Sequence, residues 1–593
     1  MRPQSRYDSK LLVIVTVILA LLHTAFLVFA ACRNAPVHDE GAHLVAALDH
    51  LQRGSFDMYR VNPPLVKYFV AIPLLMSDYE NTLGPHDQRP GMRTAWKLGE
   101  KFFERNREKA FTLLLHARFA CIPFSLVGLL VCVVWAYQMY SCIAAMLTGA
   151  LWAFSPTVLG NACLITPDVA ATAMGLLAGY AFWKFLESPT LKLMTFAGFA
   201  LGLALLAKMT WIVAFPAWLA ATLAVWPEIK KKLPSIRFQE LLFKVMLIFL
   251  LALYCLNLGY GFEGSFKRLG DYRFVSQALT GGSRLQFHRV GGNRFADGLL
   301  ATSPVPLPRN WLLGIDEQRV DFEVPSPAFM RGEWQSGGWY HYYLYALLVK
   351  EPAATVVVVI AAILTLGAGR VCAGEKVAMI AASSVLLLIS SQTNLNQHYR
   401  YALPALGFLY IFAGRFTMWL TPRWQERSIV LIVVLIAAES ISVSPYFGSF
   451  FNFAAGGPSS GRRHLAHSAV DWGQGLFALR DWQREHPEAY PLHLAWAGYV
   501  KPEVAGIDYV SFPKTSVTEK HITMDTPLEP GYYAINMHTL HQPDSPYRWI
   551  DQFTPEFVVA YNVFVYHLSE SDIVQLDDVA NSGGSRKPDG AEL

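Results

Sequence analysis

Charged residues are scarce in this chain. Asp, Glu, Lys and Arg supply 16% of its 593 residues, where an ordinary soluble domain has about 25%. That scarcity argues against the row of soluble domains, about 150 residues each, that length alone suggests. Charge imbalance is lacking too: a net charge of +4 gives no footprint for nucleic acid. There is no Walker loop, no zinc-ligand spacing and no Gly-rich fingerprint following a strand, which removes the nucleotide- and zinc-binding classes. No CxxC pair occurs. The seven cysteines (Cys32, Cys121, Cys132, Cys142, Cys163, Cys255 and Cys372) fall mostly in apolar runs and read as small buried hydrophobes. HDEGAH is not a metalloprotease signature, because His38 and His43 stand five apart and that chemistry needs histidines four apart.

Long apolar runs are abundant. Hydrophobic residues make up 53% of the chain, and about 18 consecutive apolar residues suffice to cross a bilayer. Eleven candidate spans result: 11–31, 119–139, 142–160, 169–187, 193–207, 209–226, 241–260, 346–367, 377–391, 402–420 and 428–443. They are expected as helices, since backbone groups in lipid need internal hydrogen bonds. The first run follows Arg2, Arg6 and Lys10 and is longer than a signal-peptide core, so it reads as an uncleaved span. Lysine and arginine collect in alternate short loops (Lys184 and Lys192; Lys230, Lys231, Lys232 and Arg237; Arg370 and Lys376; Arg423 and Arg427), and the other short connections offer mainly Lys208 and Arg400. The positive-inside rule then puts the N-terminus in the cytoplasm and the C-terminal segment outside.

The fold expected is a polytopic α-helical membrane protein of about eleven transmembrane helices over 1–443, with outer loops at 32–118 and 261–345. Amphipathic helices at 41–52 and 92–110 are expected to lie on the membrane. Residues 444–580 read as a small extracytoplasmic α/β domain, with strand-like YPLHLAWAGYV and EFVVAYNVFVYHL, and 581–593 as a disordered tail.

Polar residues able to do chemistry sit at span ends. Asp39 and Glu40 are adjacent just after the first span, with His43 one helical turn beyond Asp39; the simpler reading makes Asp39 a helix N-cap. In YRVNPPLVKYFVAIP, Tyr59 precedes a proline pair and Lys67 lies on the first turns of a resumed helix, where it either meets a lipid phosphate or snorkels. Asp168 opens the fourth span, again a cap or a site residue. Lys350 ends the outer edge of the eighth span beside Glu351. His398, Arg400 and Tyr401 open the tenth, and an arginine there suits a phosphate through its planar fork. The derived topology brings Asp39, Lys67, Asp168, Lys350 and Arg400 to one face. A carboxylate among cations is what displacement of a lipid-linked phosphate requires: cations stabilise the leaving group, and a carboxylate takes the acceptor proton.

These segments resemble the GT-C glycosyltransferases, in particular the protein O-mannosyltransferase and aminoarabinose transferase superfamily. The resemblance runs over nearly the whole chain, through Asp39-Glu40, NPPLVK, SPTVLGNACLITPD, GWYHYY…KEP, HYRYALP and the SPYFGSFFNFAAGGPSSGRRHLAHSAVDWGQGLFAL stretch of a phospholipid-carrier-dependent bacterial branch. It implies a transferase that moves one sugar from a polyprenyl-phosphate carrier to an acceptor hydroxyl on the extracytoplasmic side of the cell (inner) membrane, with inversion. Asp39 matches the catalytic aspartate and Glu40 its neighbour. Lys67 and Arg400 match positions near the carrier phosphate, and Lys350 is a further candidate to bind it. Some relatives bind a divalent metal ion near the acidic pair, which makes Asp39, Glu40 and His43 candidate ligands. The partners implied are the bilayer, a polyprenyl-phosphate-linked sugar donor, and a protein, lipid or polysaccharide acceptor, with no nucleic acid. The chain departs from its relatives at Gly475, where they often carry Asp, and over His467 to Val470. The rival reading from another class is a polytopic transporter or flippase of lipid-linked or envelope precursors, which predicts paired halves and ionisable groups at mid-membrane.

Overall fold

The structure, a computed structural model, describes residues 6–282, 291–517 and 522–581, apart from positions 86, 88 and 90. The expected tail 581–593 lies outside the described residues beyond Asn581, which ends a helix over Glu570–Asn581.

All eleven expected spans are helical. Among the described residues, seven helices are long and apolar enough to cross a membrane, or eight if one bent pair counts as a single span. The differences from the expected spans have local causes. The stretch 142–160 is two helices, α6 (Cys142–Ala153) and α7 (Pro156–Ala162), bent by 54°. Ser155 caps α7 by accepting from the Val158 N–H, and Pro156 fills its first position, where no amide donor is needed. The stretch 346–367 breaks at Glu351–Pro352 into Tyr342–Lys350 and Ala353–Leu364, because the residue before a proline avoids the helical region. Lys350 therefore ends a short helix of its own. The expected span 193–207 is the core of a 17-residue helix, and 428–443 is the later part of a helix over Pro422–Ser442 with the residue that caps it.

The segment 32–118, expected outside the membrane, forms a layer at the end of α1 (Arg6–Arg33). It contains α2 (Glu40–Arg53), α3 (Leu65–Leu75) and α4 (Ala95–Asn106). The helix expected over 92–110 stops at Asn106, because Arg107 takes a positive φ of 44° before α5 (Glu108–Met139) begins. The helix expected at 41–52 does not lie on the membrane surface: every residue of α2 from Glu40 to His50 is buried. It is covered by α3, α4 and the C-terminal domain.

That domain carries a five-stranded mixed sheet. After a hairpin in the 261–345 segment, β1 (Pro327–Met330) with β2 (Glu333–Ser336), come β3 (Leu492–Ala495), β4 (Tyr509–Ser511), the small pair β5 (Thr515–Val517) and β6 (Ile522–Met524), and then β7 (Gly531–Asn536), β8 (Phe557–Val559) and β9 (Val563–Leu568). The large sheet has the order β4-β3-β7-β9-β8. β3 runs parallel to β4 and β7, whereas β9 is antiparallel to both β7 and β8. The two segments read as strands from sequence supply β3 and the β8–β9 hairpin, and the helical run before them is Leu476–Glu485.

Candidate active site

The turn between α1 and α2 is held by a buried ion pair. Glu40 accepts from Arg118 of α5 at both carboxylate oxygens, at 2.9 and 2.6 Å, and also from the backbone N–H groups of Val37 (3.0 Å) and Ile165 (3.2 Å). Arg118 uses its remaining donors on the carbonyls of Ala31, Asn34 and Ala35. Both side chains are almost inaccessible, at 0% and 2%. A pair so enclosed survives only because every donor and acceptor is satisfied. Glu40 thus faces away from its neighbour and fastens the 31–37 strand of chain to α5.

Asp39 is the residue this turn presents. It makes no side-chain cap to α2, so the simpler reading of it as an N-cap does not hold. Its Oδ2 accepts instead from Arg400 Nη2 at 2.8 Å. Arg400 Nε also lies 3.6 Å from Asp168 Oδ2. Asp168, the first residue of α8 (Asp168–Glu187), likewise makes no cap, and its other oxygen accepts from Lys208 Nζ. Lys208 follows α9 (Leu191–Ala207) in an extended conformation that turns its side chain back over this cluster. The result is a charge-balanced tetrad, Asp39–Arg400–Asp168–Lys208, drawn from four separate chain segments. Tyr401 lies against both cations, its ring 4.7 Å from Lys208 Nζ and 5.7 Å from the Arg400 guanidinium. Arg400 Nη1 is buried with no hydrogen-bond partner, so the arginine retains a donor for an incoming oxygen.

The DWGQ segment closes the other side of Arg400. Asp471 accepts from Asn536 Nδ2, Asn562 Nδ2 and the N–H groups of Gly473 and His538, knotting the segment to the ends of β7 and β9. Trp472 then lies flat against the Arg400 guanidinium, 3.8 Å from its carbon, a contact worth up to about 2 kcal/mol when desolvated. The Trp472 carbonyl accepts from the His38 N–H (3.3 Å), and the Gln474 carbonyl from the Ala35 N–H (3.0 Å). The segment after the last expected span is therefore built into the wall of the site.

An apolar groove of about 240 Å³ adjoins Lys208, Tyr401 and Tyr343. Met209, Ile212, Ile315, Phe322, Leu388 and Ile389 line it. On the opposite side of Arg400 a smaller chamber of about 50 Å³ is bordered by Asn161, Lys350, Ser468, Trp472 and Gln474.

Of the three cations expected around a donor phosphate, the structure brings only Arg400 to Asp39. Lys67 Nζ donates to the carbonyls of Tyr59 (3.0 Å) and Asn62 (2.8 Å) and lies 1% exposed behind the Tyr59 ring. Burial pulls its pKa down to about 7. Lys350 Nζ donates to the carbonyls of Gly448 (2.9 Å) and Ala469 (2.6 Å). Lys208, which is not among the expected cations, joins the cluster through Asp168. Tyr59 adopts a positive φ of 60°, which turns its carbonyl to Lys67 and its ring against His43 (4.8 Å) and Trp96 (4.7 Å). His43 keeps a buried Nδ1 without a partner, and burial, then the Lys67, Arg400 and Lys208 charges, hold its pKa well below the ordinary histidine value. His398 bonds Ser468 Oγ at 2.7 Å and packs its ring on Tyr401.

The acidic pair does not form a metal site with His43. Glu40 is fully engaged by Arg118 and two amides, and among the described residues no three His, Cys, Asp or Glu side chains converge as ligands. The donor set for a divalent ion is not assembled here.

Residues 111–255 match the family model described as dolichyl-phosphate-mannose-protein mannosyltransferase. The matched stretch is less than half of the chain. The match bears out the resemblance read from the motifs. The family segment holds Arg118, Asp168 and Lys208, whereas Asp39, Arg400 and Trp472 reach the cluster from outside it. No curated protein matches the chain. Among solved structures, ArnT from Cupriavidus metallidurans bound to undecaprenyl phosphate is 14% identical with a TM-score of 0.44, over 93% of this chain and 97% of that one. The archaeal oligosaccharyltransferase AglB from Archaeoglobus fulgidus, with an inhibitory peptide and a dolichol-phosphate, is 11% identical with a TM-score of 0.42, over 74% of this chain and 56% of that one. Likeness at this level describes the course of the chain only loosely.

Lys208, Arg118 and Trp472 are the residues that motif reading passed over. Each had a signal: a lysine closing the apolar run LGLALLAK, an arginine leading into the second span, and the tryptophan of the DWGQ stretch.

Proposed function

We propose that the protein is a membrane glycosyltransferase that moves a single sugar from a polyprenyl-phosphate carrier to an acceptor hydroxyl, with inversion. The reaction takes place on the extracytoplasmic side of the cell (inner) membrane, with the N-terminus cytoplasmic. The observation that carries this reading is the tetrad itself: two carboxylates and two cations at one end of the spans, beside a groove of apolar side chains.

The donor's isoprenoid chain lies in the groove past Met209, Ile315 and Leu388, and its phosphate meets Lys208 and Arg400. Both cations are already neutralised by carboxylates. A phosphate that draws Arg400 toward itself loosens the Arg400–Asp39 contact and leaves Asp39 as a free base. Asp39 takes the proton of the acceptor hydroxyl as its oxygen bonds to the anomeric carbon. The bond from that carbon to the phosphate oxygen breaks on the opposite face, and the electron pair leaves on a phosphate held by the two cations. Glu40 acts through Arg118 by fixing the turn, so it is a positioning residue rather than a second base. The acceptor, whether protein, lipid or polysaccharide, approaches along the wall formed by Trp472 and His38.

The test is transfer of labelled sugar from a polyprenyl-phosphate donor by the detergent-solubilised protein, wild type beside Asp39→Asn. The expected result is product from the wild type, of inverted configuration, and none above background from the variant. Undiminished transfer by Asp39→Asn removes Asp39 as the base.

A further inference from the structure

Tyr499 follows β3 in the loop WAGYV and reaches across from the C-terminal domain into the outer layer. Its ring fills a notch where α2 and α4 cross. The notch exists because both helices carry glycine there. A Cβ on Gly41 would come within 2.0 Å of the Tyr499 ring, and one on Gly99 within 2.0 Å of its hydroxyl and 2.6 Å of the Gly41 carbonyl oxygen. Those approaches are far below van der Waals contact, so no other residue fits either position with the tyrosine in place. The Tyr499 hydroxyl donates to the Trp96 carbonyl at 2.7 Å, and the His38 ring meets the tyrosine edge-on at 5.8 Å. Tyr499 itself is only 4% exposed. Nearby, Lys501 pairs with Glu104 of α4 at 2.7 Å, a surface contact that adds little.

The tyrosine touches the residues on both sides of the proposed base: His38 immediately before it and Gly41 two positions after. The same domain, through Trp472, also backs the arginine that Asp39 faces. We propose that Tyr499 is a positioning residue for Asp39: the C-terminal domain sets the catalytic turn by wedging this ring between Gly41 and Gly99. The proposal rests on the glycosyltransferase reading, and it makes the C-terminal domain part of the catalytic unit rather than an appendage.

The test uses the full-length protein in detergent, with turnover and binding of polyprenyl phosphate measured separately. Tyr499→Phe keeps the ring and is expected to stay close to wild type. Tyr499→Ala is expected to lower kcat by about 100-fold, the scale of a misplacement near 1 Å, while affinity for polyprenyl phosphate stays close to that of wild type. Gly41→Ala alone is expected to lose kcat similarly, because the new methyl drives the ring out. Gly41→Ala with Tyr499→Ala is expected to be no worse than Tyr499→Ala, since the two changes disrupt one contact. Losses that multiply, or a Tyr499→Ala enzyme with wild-type kcat, overturn the proposal. Hydrogen exchange supplies a readout that needs no catalysis: the peptide 37–44 exchanges faster in Tyr499→Ala and at the wild-type rate in Tyr499→Phe. Unchanged exchange in Tyr499→Ala overturns the wedge. Failure of the wild type to transfer any sugar counts against the functional reading and leaves the exchange result to decide the wedge.

Discussion

Replacing Glu40 by glutamine separates two roles that adjacent acidic residues are easily given together. The substitution preserves volume and removes one charge. In the folded protein, Arg118 then stays buried with its guanidinium facing an amide, and the Val37 and Ile165 N–H groups compete for a single remaining carbonyl oxygen. Breaking a buried ion pair by removing one partner costs about 3–5 kcal/mol. The carbonyls of Ala31, Asn34 and Ala35 still solvate part of the arginine, which places the loss toward the lower end of that range. A loss of 3 kcal/mol is about a 100-fold change in the ratio of folded to unfolded protein. The assay is the folded fraction left after heating in one detergent, followed by size-exclusion chromatography, for wild type, Glu40→Gln, Arg118→Met and the double variant Glu40→Met with Arg118→Met. Both single variants are expected to be clearly less stable than wild type. The double variant is expected to lose less than the two single variants together, because neither charge is left alone, yet to stay below wild type, because the Val37 and Ile165 N–H groups and the Ala31, Asn34 and Ala35 carbonyls lose their partners. Glu40→Gln that is as stable as wild type yet inactive in transfer would falsify this assignment and return Glu40 to the chemistry.

Two further outcomes distinguish the cations. Lys208→Ala is expected to weaken binding of polyprenyl phosphate by about tenfold or more, the worth of a charge-assisted hydrogen bond of about 1.5–3 kcal/mol, whereas Lys350→Ala lowers thermal stability and leaves binding near wild type. Equilibrium binding of the phosphate to each purified variant checks this, and the reverse pattern would restore Lys350 to the donor site. Lys67 governs a pH dependence. Its pKa falls from the ordinary lysine value to about 7 in the fold, so between pH 7 and the ordinary lysine range the unfolded chain binds the extra proton. Stability therefore rises with pH across that window, by at most about 1.4 kcal/mol per pH unit from this group, and the penalty is fully present below it. Thermal stability of the wild type relative to Lys67→Met, followed from pH 6 to pH 9, is expected to improve as pH rises. A flat difference would mean that Lys67 keeps its proton against the Tyr59 and Asn62 carbonyls.

What the sequence determined by itself was the medium and the inventory. Runs of apolar residues long enough for a bilayer, interrupted by lysine-rich loops, imply a helical membrane protein regardless of how the helices meet, because lipid forces the backbone to satisfy itself within each segment. The α/β character of the end of the chain was legible for a similar reason: the hydrophobic pattern of the segments that become β3 and β9 is local. Asp39, Asp168 and Arg400 were legible as polar residues at span ends. Which polar residues meet was decided only by the tertiary structure. Lys67, Lys208 and Lys350 look alike as lysines at helix ends, yet one turns to Asp168 while the others are held by backbone carbonyls within reach. Glu40 and Asp39 are neighbours in sequence and point to opposite partners, since residues adjacent on a helical turn lie about 100° apart around the axis. The tetrad joins positions separated by hundreds of residues, and Tyr499 finds its notch only because two glycines from different helices cross beneath it. No period or spacing in the chain encodes such meetings, because they depend on how rigid elements pack in three dimensions rather than on any local preference of the residues involved.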